Sequence, residues 1–125
     1  MARILVTGGA GFVPSELTTR LAQDRTNEVV AVDNLLTGDI NKLPLAEHPN
    51  LRFIKCDVNR FEDISSVVFA FRPEYVFHYA AVVGVKRTTD NPVMVLRDID
   101  GIRNVLDLCK NTGVKRVFFS SSSEV

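Results

Sequence analysis

Short apolar runs alternate along the chain with segments in which apolar residues recur at helical spacing. The apolar runs predict five strands, over 3–6, 28–33, 51–55, 75–80 and 114–119. Their near-continuous apolar character is typical of parallel strands that are covered on both faces. Helical spacing predicts helices from about 14 to 24, over 63–71 and over 92–112, with a helical turn near 40–43. This alternation predicts an α/β fold with a parallel sheet and right-handed crossovers.

The second and third predicted helices each have an apolar face. In the second helix that face consists of Ile64, Val67, Val68 and Phe71. The third helix is expected to begin at Pro92 with Asn91 as its N-cap, and to end with Gly113 as its C-cap. Gly101 inside this helix costs ~1 kcal/mol relative to alanine, which predicts close packing against a neighbour. The predicted buried stripe consists of Val95, Ile99, Ile102, Val105, Leu106 and Cys109.

A glycine-rich segment joins the first strand to the first helix. It reads Thr7-Gly8-Gly9-Ala10-Gly11-Phe12-Val13-Pro14, and a glycine-rich turn between a strand and a helix is where a dinucleotide pyrophosphate binds. Gly8 permits the tight turn, and Gly11 lets the backbone approach the pyrophosphate closely. Asp33 ends the second strand about 20 residues further on, where a carboxylate is expected to bind the ribose hydroxyls. The segment therefore predicts a Rossmann dinucleotide-binding domain.

Asp33 also bears on which dinucleotide is bound. Its carboxylate would repel the extra phosphate of NADP, and no arginine follows it directly, so NAD is the predicted cofactor.

Pro14 stands where this type of turn usually has a third glycine. Proline is tolerated in the first helical turn because its missing N–H would have no partner within the helix. The helix is therefore expected to begin at or next to Pro14. The lost amide donor predicts weakened, but not abolished, dinucleotide binding.

Composition excludes several classes of partner. The 125 residues carry 15 basic and 15 acidic side chains without a basic cluster, which argues against nucleic acid. No apolar run approaches the ~20 residues of a membrane span. Strand residues begin at Arg3, so no signal peptide is expected and a cytoplasmic location is predicted.

The cysteines and histidines predict structural roles. Cys56 and Cys109 lie inside apolar patterns and are expected to be buried, reduced thiols. His48 and His78 form no cluster with ligand spacing, so no metal site is expected, and His78 on a buried strand is expected to be structural.

Five motifs in order resemble the extended short-chain dehydrogenase/reductases, in particular the sugar-nucleotide epimerases, dehydratases and decarboxylases. They are residues 7–13, Asp33-Asn34-Leu35 with Thr37-Gly38, Cys56-Asp57-Val58, His78-Tyr79-Ala80-Ala81, and Ser121-Ser122-Ser123-Glu124-Val125. The resemblance covers the whole chain, and it implies a doubly wound Rossmann domain with a parallel sheet in the strand order 3-2-1-4-5 and helices on both faces.

The resemblance implies a role for each matching residue. The pyrophosphate would contact Gly8, Gly11, Phe12 and Val13. The adenosine would contact Asp33, Asn34, Asp57 and Val58, while Ala80 and Ala81 let NAD lie close to the fourth strand. Ser122 or Ser123 would hydrogen-bond the sugar C4 oxygen, and Glu124 would serve as a second acid or base.

The family implies an enzyme that oxidises C4 of a nucleotide sugar by hydride transfer to NAD. Its catalytic tyrosine, a Tyr-x-x-x-Lys pair and a sixth strand would follow Val125, so the 125-residue chain itself is expected to be inactive. A non-catalytic dinucleotide-binding module or sensor is the alternative. A homodimer is expected, formed through the long helix or through the apolar edge of the fifth strand.

Overall fold

The computed structural model describes residues 2–10, 12–35, 40–79 and 92–119. The strands are β1 (Arg3–Thr7), β2 (Glu28–Asp33), β3 (Leu51–Lys55), β4 (Tyr75–His78) and β5 (Arg116–Phe119). The helices are α1 (Phe12–Gln23), α2 (Phe61–Phe71) and α3 (Pro92–Thr112), and a 3-10 turn covers Ile40–Lys42.

The five strands form one parallel sheet in the order β3-β2-β1-β4-β5, which confirms the predicted fold and topology. The central strand β1 places Leu5 between Val30 of β2 and Val76 of β4. From β1 the chain adds β2 and β3 on one side, and it then crosses over to add β4 and β5 on the other side, so the strand order reverses between β1 and β4. In parallel sheets, this reversal opens a crevice at the carboxyl ends of the strands.

Helices α1 and α2 begin two residues earlier than their sequence patterns predict, whereas α3 begins at Pro92 as predicted. Helix α1 begins at Phe12, so Pro14 is its third residue. The first amides of a helix have no partner within it, so proline costs no helical hydrogen bond there. Helix α2 begins at Phe61, two residues before Asp63, and buries the predicted face of Ile64, Val67, Val68 and Phe71.

The predicted buried stripe of α3 is wrong at two positions. Ile102 and Leu106 are 39% and 45% exposed, whereas Val105, Leu108 and Cys109 are buried. The rotation of α3 follows from Gly101, because an ideal Cβ there would lie 2.5 Å from Asn59 Oδ1 and 3.1 Å from Val58 Cγ2. The prediction of close packing at Gly101 is confirmed.

The two faces of the sheet carry separate apolar clusters. Helices α2 and α3 cover one cluster, whose buried members include Leu5, Val32, Ile64, Val76 and Val105. Helix α1 packs on the opposite face, over Ile4, Val6, Val29 and Leu51. Both faces of β1 and β2 are therefore buried, as their unbroken apolar runs predict.

The helix ends and cysteines also agree with the sequence predictions. Gly113 follows α3 with φ of +77°, the left-handed conformation expected of a C-cap glycine. Cys56 and Cys109 are free and buried. Burial raises the pKa of the Cys56 thiol to about 12 and that of Cys109 to about 11, which leaves both thiols protonated and unreactive.

Within the described ranges, no helix is long and apolar enough to cross a membrane. The same part of the chain contains no group of three or more histidine, cysteine or acidic side chains that could hold a metal ion.

Candidate dinucleotide site at the carboxyl edge of the sheet

The turn after β1 is docked onto the end of β2. Gly8 has φ of +68°, a conformation that glycine adopts without strain, and it reverses the chain where β1 ends. The Gly9 N–H then donates to the Val32 carbonyl oxygen over 3.0 Å. Ala10 is fully buried in a small cluster with Ala31 and Leu43. The tight turn predicted at Gly8 is present.

Gly9 has a structural role that the sequence motif did not identify. An ideal Cβ at Gly9 would lie 2.6 Å from the Ala31 Cβ, 3.2 Å from the Ala31 Cα and 3.3 Å from the Val6 carbonyl oxygen. Separations below 3 Å are not tolerated between carbon atoms. Gly9 is therefore required for the turn to lie against β1 and β2. Its position beside Gly8 was the available signal, but the motif assigns functions to Gly8 and Gly11.

Asp33 lies at the end of β2 with its carboxylate directed to backbone amides on two sides. Oδ2 accepts from the Ala10 N–H over 3.0 Å, and Oδ1 accepts from the Leu35 N–H over 2.8 Å. The Asp33 carbonyl oxygen accepts from the Cys56 N–H over 3.0 Å, which links this position to the end of β3. The residue predicted to bind ribose is thus held between the glycine-rich turn and β3. Asn34, the next predicted ligand, is exposed.

The start of α1 presents its first amides toward the crevice. Phe12 and Val13 are the first two helical residues, and their N–H groups have no acceptor within the helix. Pro14 follows with no N–H, so the first turn has one donor fewer than usual. The Val13 side chain is 58% exposed, which is unusual for valine. Unpaired amides and the helix dipole together favour an anion at this place.

The loop after β3 carries the third predicted contact region. Asp57 Oδ1 accepts from the Asn59 N–H over 2.9 Å, which shapes a turn. The Val58 side chain is buried in the core, so only its backbone is available to a ligand. Asn104 of α3 donates from Nδ2 to the Val58 carbonyl oxygen over 2.9 Å. Asn104 therefore fixes this loop, a role that the sequence analysis did not assign.

His78 lies at the end of β4 and is buried, as predicted for a structural histidine. Its Nδ1 lies 2.8 Å from Thr7 Oγ1, which in turn accepts from the Tyr79 N–H over 3.0 Å. The donor in the hydrogen bond between His78 and Thr7 depends on the imidazole tautomer. Burial lowers the pKa of His78 to about 4.

Several predicted site residues lie outside the described part of the chain. They are Gly11, Ala80, Ala81, Ser122, Ser123 and Glu124. The side chain of Phe12 also lies outside it, although its backbone is helical. Their assigned functions remain predictions.

The described residues form one edge that fits an anionic, ribose-bearing ligand. Amides without an acceptor inside the helix begin α1, the Asp33 carboxylate ends β2, and the Asp57 turn follows β3. These three features lie at the carboxyl ends of neighbouring strands, beside the point where the strand order reverses. That is the general location of ligand sites in open α/β sheets.

Known proteins are similar to this chain in sequence and in fold. A family model described as the NAD-dependent epimerase/dehydratase family matches residues 4–125. A UDP-glucose 4-epimerase from Mycolicibacterium smegmatis is 35% identical, over 96% of this chain and 38% of its own. A UDP-glucuronic acid decarboxylase from Arabidopsis thaliana is 34% identical, over 98% of this chain and 34% of its own.

The fold agrees with a structure solved in complex with NAD. The UDP-glucose 4-epimerase of Thermus thermophilus matches with a TM-score of 0.82 and 34% identity, over 92% of this chain and 36% of that protein. The chain therefore spans little more than a third of the length of each of these three relatives.

Proposed function

Because the chain belongs to the NAD-dependent epimerase/dehydratase family, we propose that it binds NAD and forms the cofactor-binding part of an enzyme acting on nucleotide sugars. The observation that carries the proposal is the joint placement of the α1 amides and the Asp33 carboxylate at one edge of the sheet. When bound, NAD supplies an acceptor for the hydride that leaves a sugar carbon.

The residues present fit a dinucleotide. The Phe12 and Val13 amides are available to a phosphate oxygen, and the α1 dipole adds to their attraction. Each oxygen of the Asp33 carboxylate accepts one backbone amide, which leaves further lone pairs for ribose hydroxyl donors. The exposed Val13 side chain would be covered by a ligand lying across the turn.

Asp33 favours NAD over NADP. Its carboxylate is held in place by two amides, so it cannot swing away from a 2′-phosphate at little cost. The repulsion between the two anions would therefore remain in a complex with NADP.

Calorimetric titration of the chain with NAD and, separately, with NADP tests this proposal. We expect saturable binding of NAD and at least about tenfold weaker binding of NADP, a difference of ~1.4 kcal/mol. Equal binding of both dinucleotides would contradict the role of Asp33.

A chain that binds neither dinucleotide is also informative. Pro14→Ala restores an amide donor to the first turn of α1, so it serves as the comparison variant. If only Pro14→Ala binds NAD, the missing amide donor at Pro14 explains why the unaltered chain does not bind. If neither protein binds NAD, the proposed NAD site in this chain is contradicted.

We also propose roles for the serine-rich end of the chain, from the resemblance quoted above. Ser122 or Ser123 would hold the C4 oxygen of the sugar, and Glu124 would exchange a proton with the sugar. No tyrosine follows them in the 125 residues. We therefore expect no turnover of UDP-glucose by this chain.

A homodimer through α3 is the oligomeric state we propose. Ile102 and Leu106 are one turn apart on the same side of α3, and both are substantially exposed. At the alternative surface on β5, the Phe118 ring stacks on Phe77 with centroids 4.6 Å apart and is 40% exposed. Among the described side chains, α3 offers two large exposed apolar residues on one side and β5 offers one, so α3 is the contact we propose.

Light scattering after size-exclusion chromatography tests this interface. Leu106→Glu would place a charge in the contact, and we expect at least tenfold weaker dimerisation from the cost of burying it. Phe118→Ser is the matched variant at the β5 surface, and it should leave the dimer intact. The reverse pattern, or a monomer in the unaltered chain, would contradict an α3 dimer.

A further inference from the structure

The Asp33 carboxylate makes contacts that a ribose ligand alone does not need. Three consecutive residues at the end of β2 touch the glycine-rich turn. Ala31 packs against Gly9, the Val32 carbonyl oxygen accepts from the Gly9 N–H, and Asp33 Oδ2 accepts from the Ala10 N–H. The β2 backbone and the Asp33 side chain thus hold the glycine-rich turn together.

The second oxygen of Asp33 is used on the other side. Oδ1 accepts from the Leu35 N–H over 2.8 Å, and Leu35 has φ of +64°, a left-handed conformation that is unfavourable for leucine. A hydrogen bond to a charged acceptor is stronger than one to a neutral group, so this contact offsets the backbone strain. One carboxylate therefore holds the segments on both sides of it.

We infer that Asp33 is a positioning residue that holds the glycine-rich turn in shape before a cofactor arrives. The inference concerns contacts within the chain, and it rests on the proposed NAD site only for its effect on affinity. Because the Ala10 N–H is directed to Asp33, it is not a phosphate donor. The phosphate depends on later amides such as Phe12 and Val13, which the anchored turn places.

This dual role has a consequence for cofactor selectivity. Removing the carboxylate to relieve repulsion of the NADP 2′-phosphate would also release the turn that places the phosphate-binding amides. Asp33→Ala is therefore expected to weaken NAD binding without producing tight binding of NADP.

Amide hydrogen exchange in the chain without added ligand tests the anchoring directly. In Asp33→Ala, both amides lose their acceptor, and we expect the Ala10 and Leu35 N–H groups to exchange roughly tenfold faster. Asp33→Asn keeps the shape of the side chain and only one acceptor oxygen, so at least one of the two amides should exchange faster. The Val30 amide within β2 reports any change in global stability.

Asp24→Ala is the matched control for exchange. Asp24 Oδ1 accepts from the Thr26 N–H over 3.0 Å, in an exposed turn after α1 that does not touch the glycine-rich turn. We expect it to leave the Ala10 exchange rate unchanged. Unchanged Ala10 and Leu35 exchange in both Asp33 variants, relative to Val30, would overturn the inference, whether or not the chain binds NAD.

A second measurement separates positioning from direct ribose binding. The probe is an NAD analogue that lacks both hydroxyls of the adenosine ribose. If Asp33 only bound ribose, Asp33→Ala would leave the affinity for this analogue unchanged, or would raise it slightly because a negative charge is removed. We expect Asp33→Ala to weaken analogue binding roughly tenfold, and equal or tighter binding would refute the effect on the phosphate site.

Discussion

Gly9→Ala is expected to destabilise the fold by about 1–3 kcal/mol, the usual cost of overpacking. The new methyl group would lie 2.6 Å from the Ala31 Cβ and 3.3 Å from the Val6 carbonyl oxygen. Neither atom is the end of a flexible side chain, so the turn must move outward by about 1 Å to restore normal carbon contacts. The same movement displaces the amides that start α1, and we expect at least tenfold weaker NAD binding.

Urea unfolding and calorimetry measure the two effects of Gly9→Ala. Gly113→Ala is the control for removing a glycine in general, because nothing lies within 4 Å of its ideal Cβ and only its φ of +77° opposes the change. It should cost ~1 kcal/mol and leave NAD binding unchanged.

Ala31→Gly offers a further check, because it removes the methyl group that Gly9→Ala would meet. The double variant should recover part of the lost stability and affinity, giving a favourable interaction term in the double-mutant cycle. Simple additivity, or a Gly9→Ala variant as stable as the unaltered chain, would show that the turn is not held by this contact.

Acidification from pH 7 to pH 4 is expected to remove about 3 kcal/mol of stability through His78 alone. Burial lowers the pKa of His78 to about 4 in the folded chain, from an ordinary value of 6.5. The unfolded chain therefore binds the proton first as the pH falls. The stabilising contribution is complete above pH 6.5 and decreases by ~1.4 kcal/mol per pH unit until about pH 4.

His78→Asn isolates this effect. Asparagine does not titrate, and its side-chain amide can donate to or accept from Thr7 Oγ1, which lies 2.8 Å from His78 Nδ1. Contributions from the carboxyl groups occur in both proteins and cancel in the difference. In urea unfolding at several pH values, the unaltered chain should lose stability relative to His78→Asn between pH 6.5 and 4. Parallel profiles would rule out a buried neutral histidine.

Local patterns predicted the strands and their parallel arrangement. The unbroken apolar runs of β1 and β2 predicted strands buried on both faces. The structure agrees, because each strand contributes buried residues to the apolar clusters on both faces of the sheet. Alternation of strands and helices predicted parallel crossovers, which few topologies satisfy. The order β3-β2-β1-β4-β5 was expected from the family resemblance of the motifs, because alternation alone is compatible with more than one order.

The sequence predicted less well which face of a helix is buried, because the same helical repeat can bury more than one face. The residues of α3 contain two overlapping apolar stripes, and the choice of Ile102 and Leu106 was wrong. The contact between Gly101 and the Val58 loop decides between the stripes. That contact joins positions more than forty residues apart, which periodicity within one helix cannot report.

The sequence by itself determined the strands, the position of the glycine-rich turn and the presence of Asp33 at the end of β2. These depend on properties that recur within a few residues, such as apolar spacing and the conformations open to glycine. Only the tertiary structure decided that Gly9 must lack a side chain, that Asp33 anchors Ala10, and that Asn104 fixes the Val58 loop. Each depends on the distance between segments that the sheet brings together, and that distance is set by the packing of the whole domain.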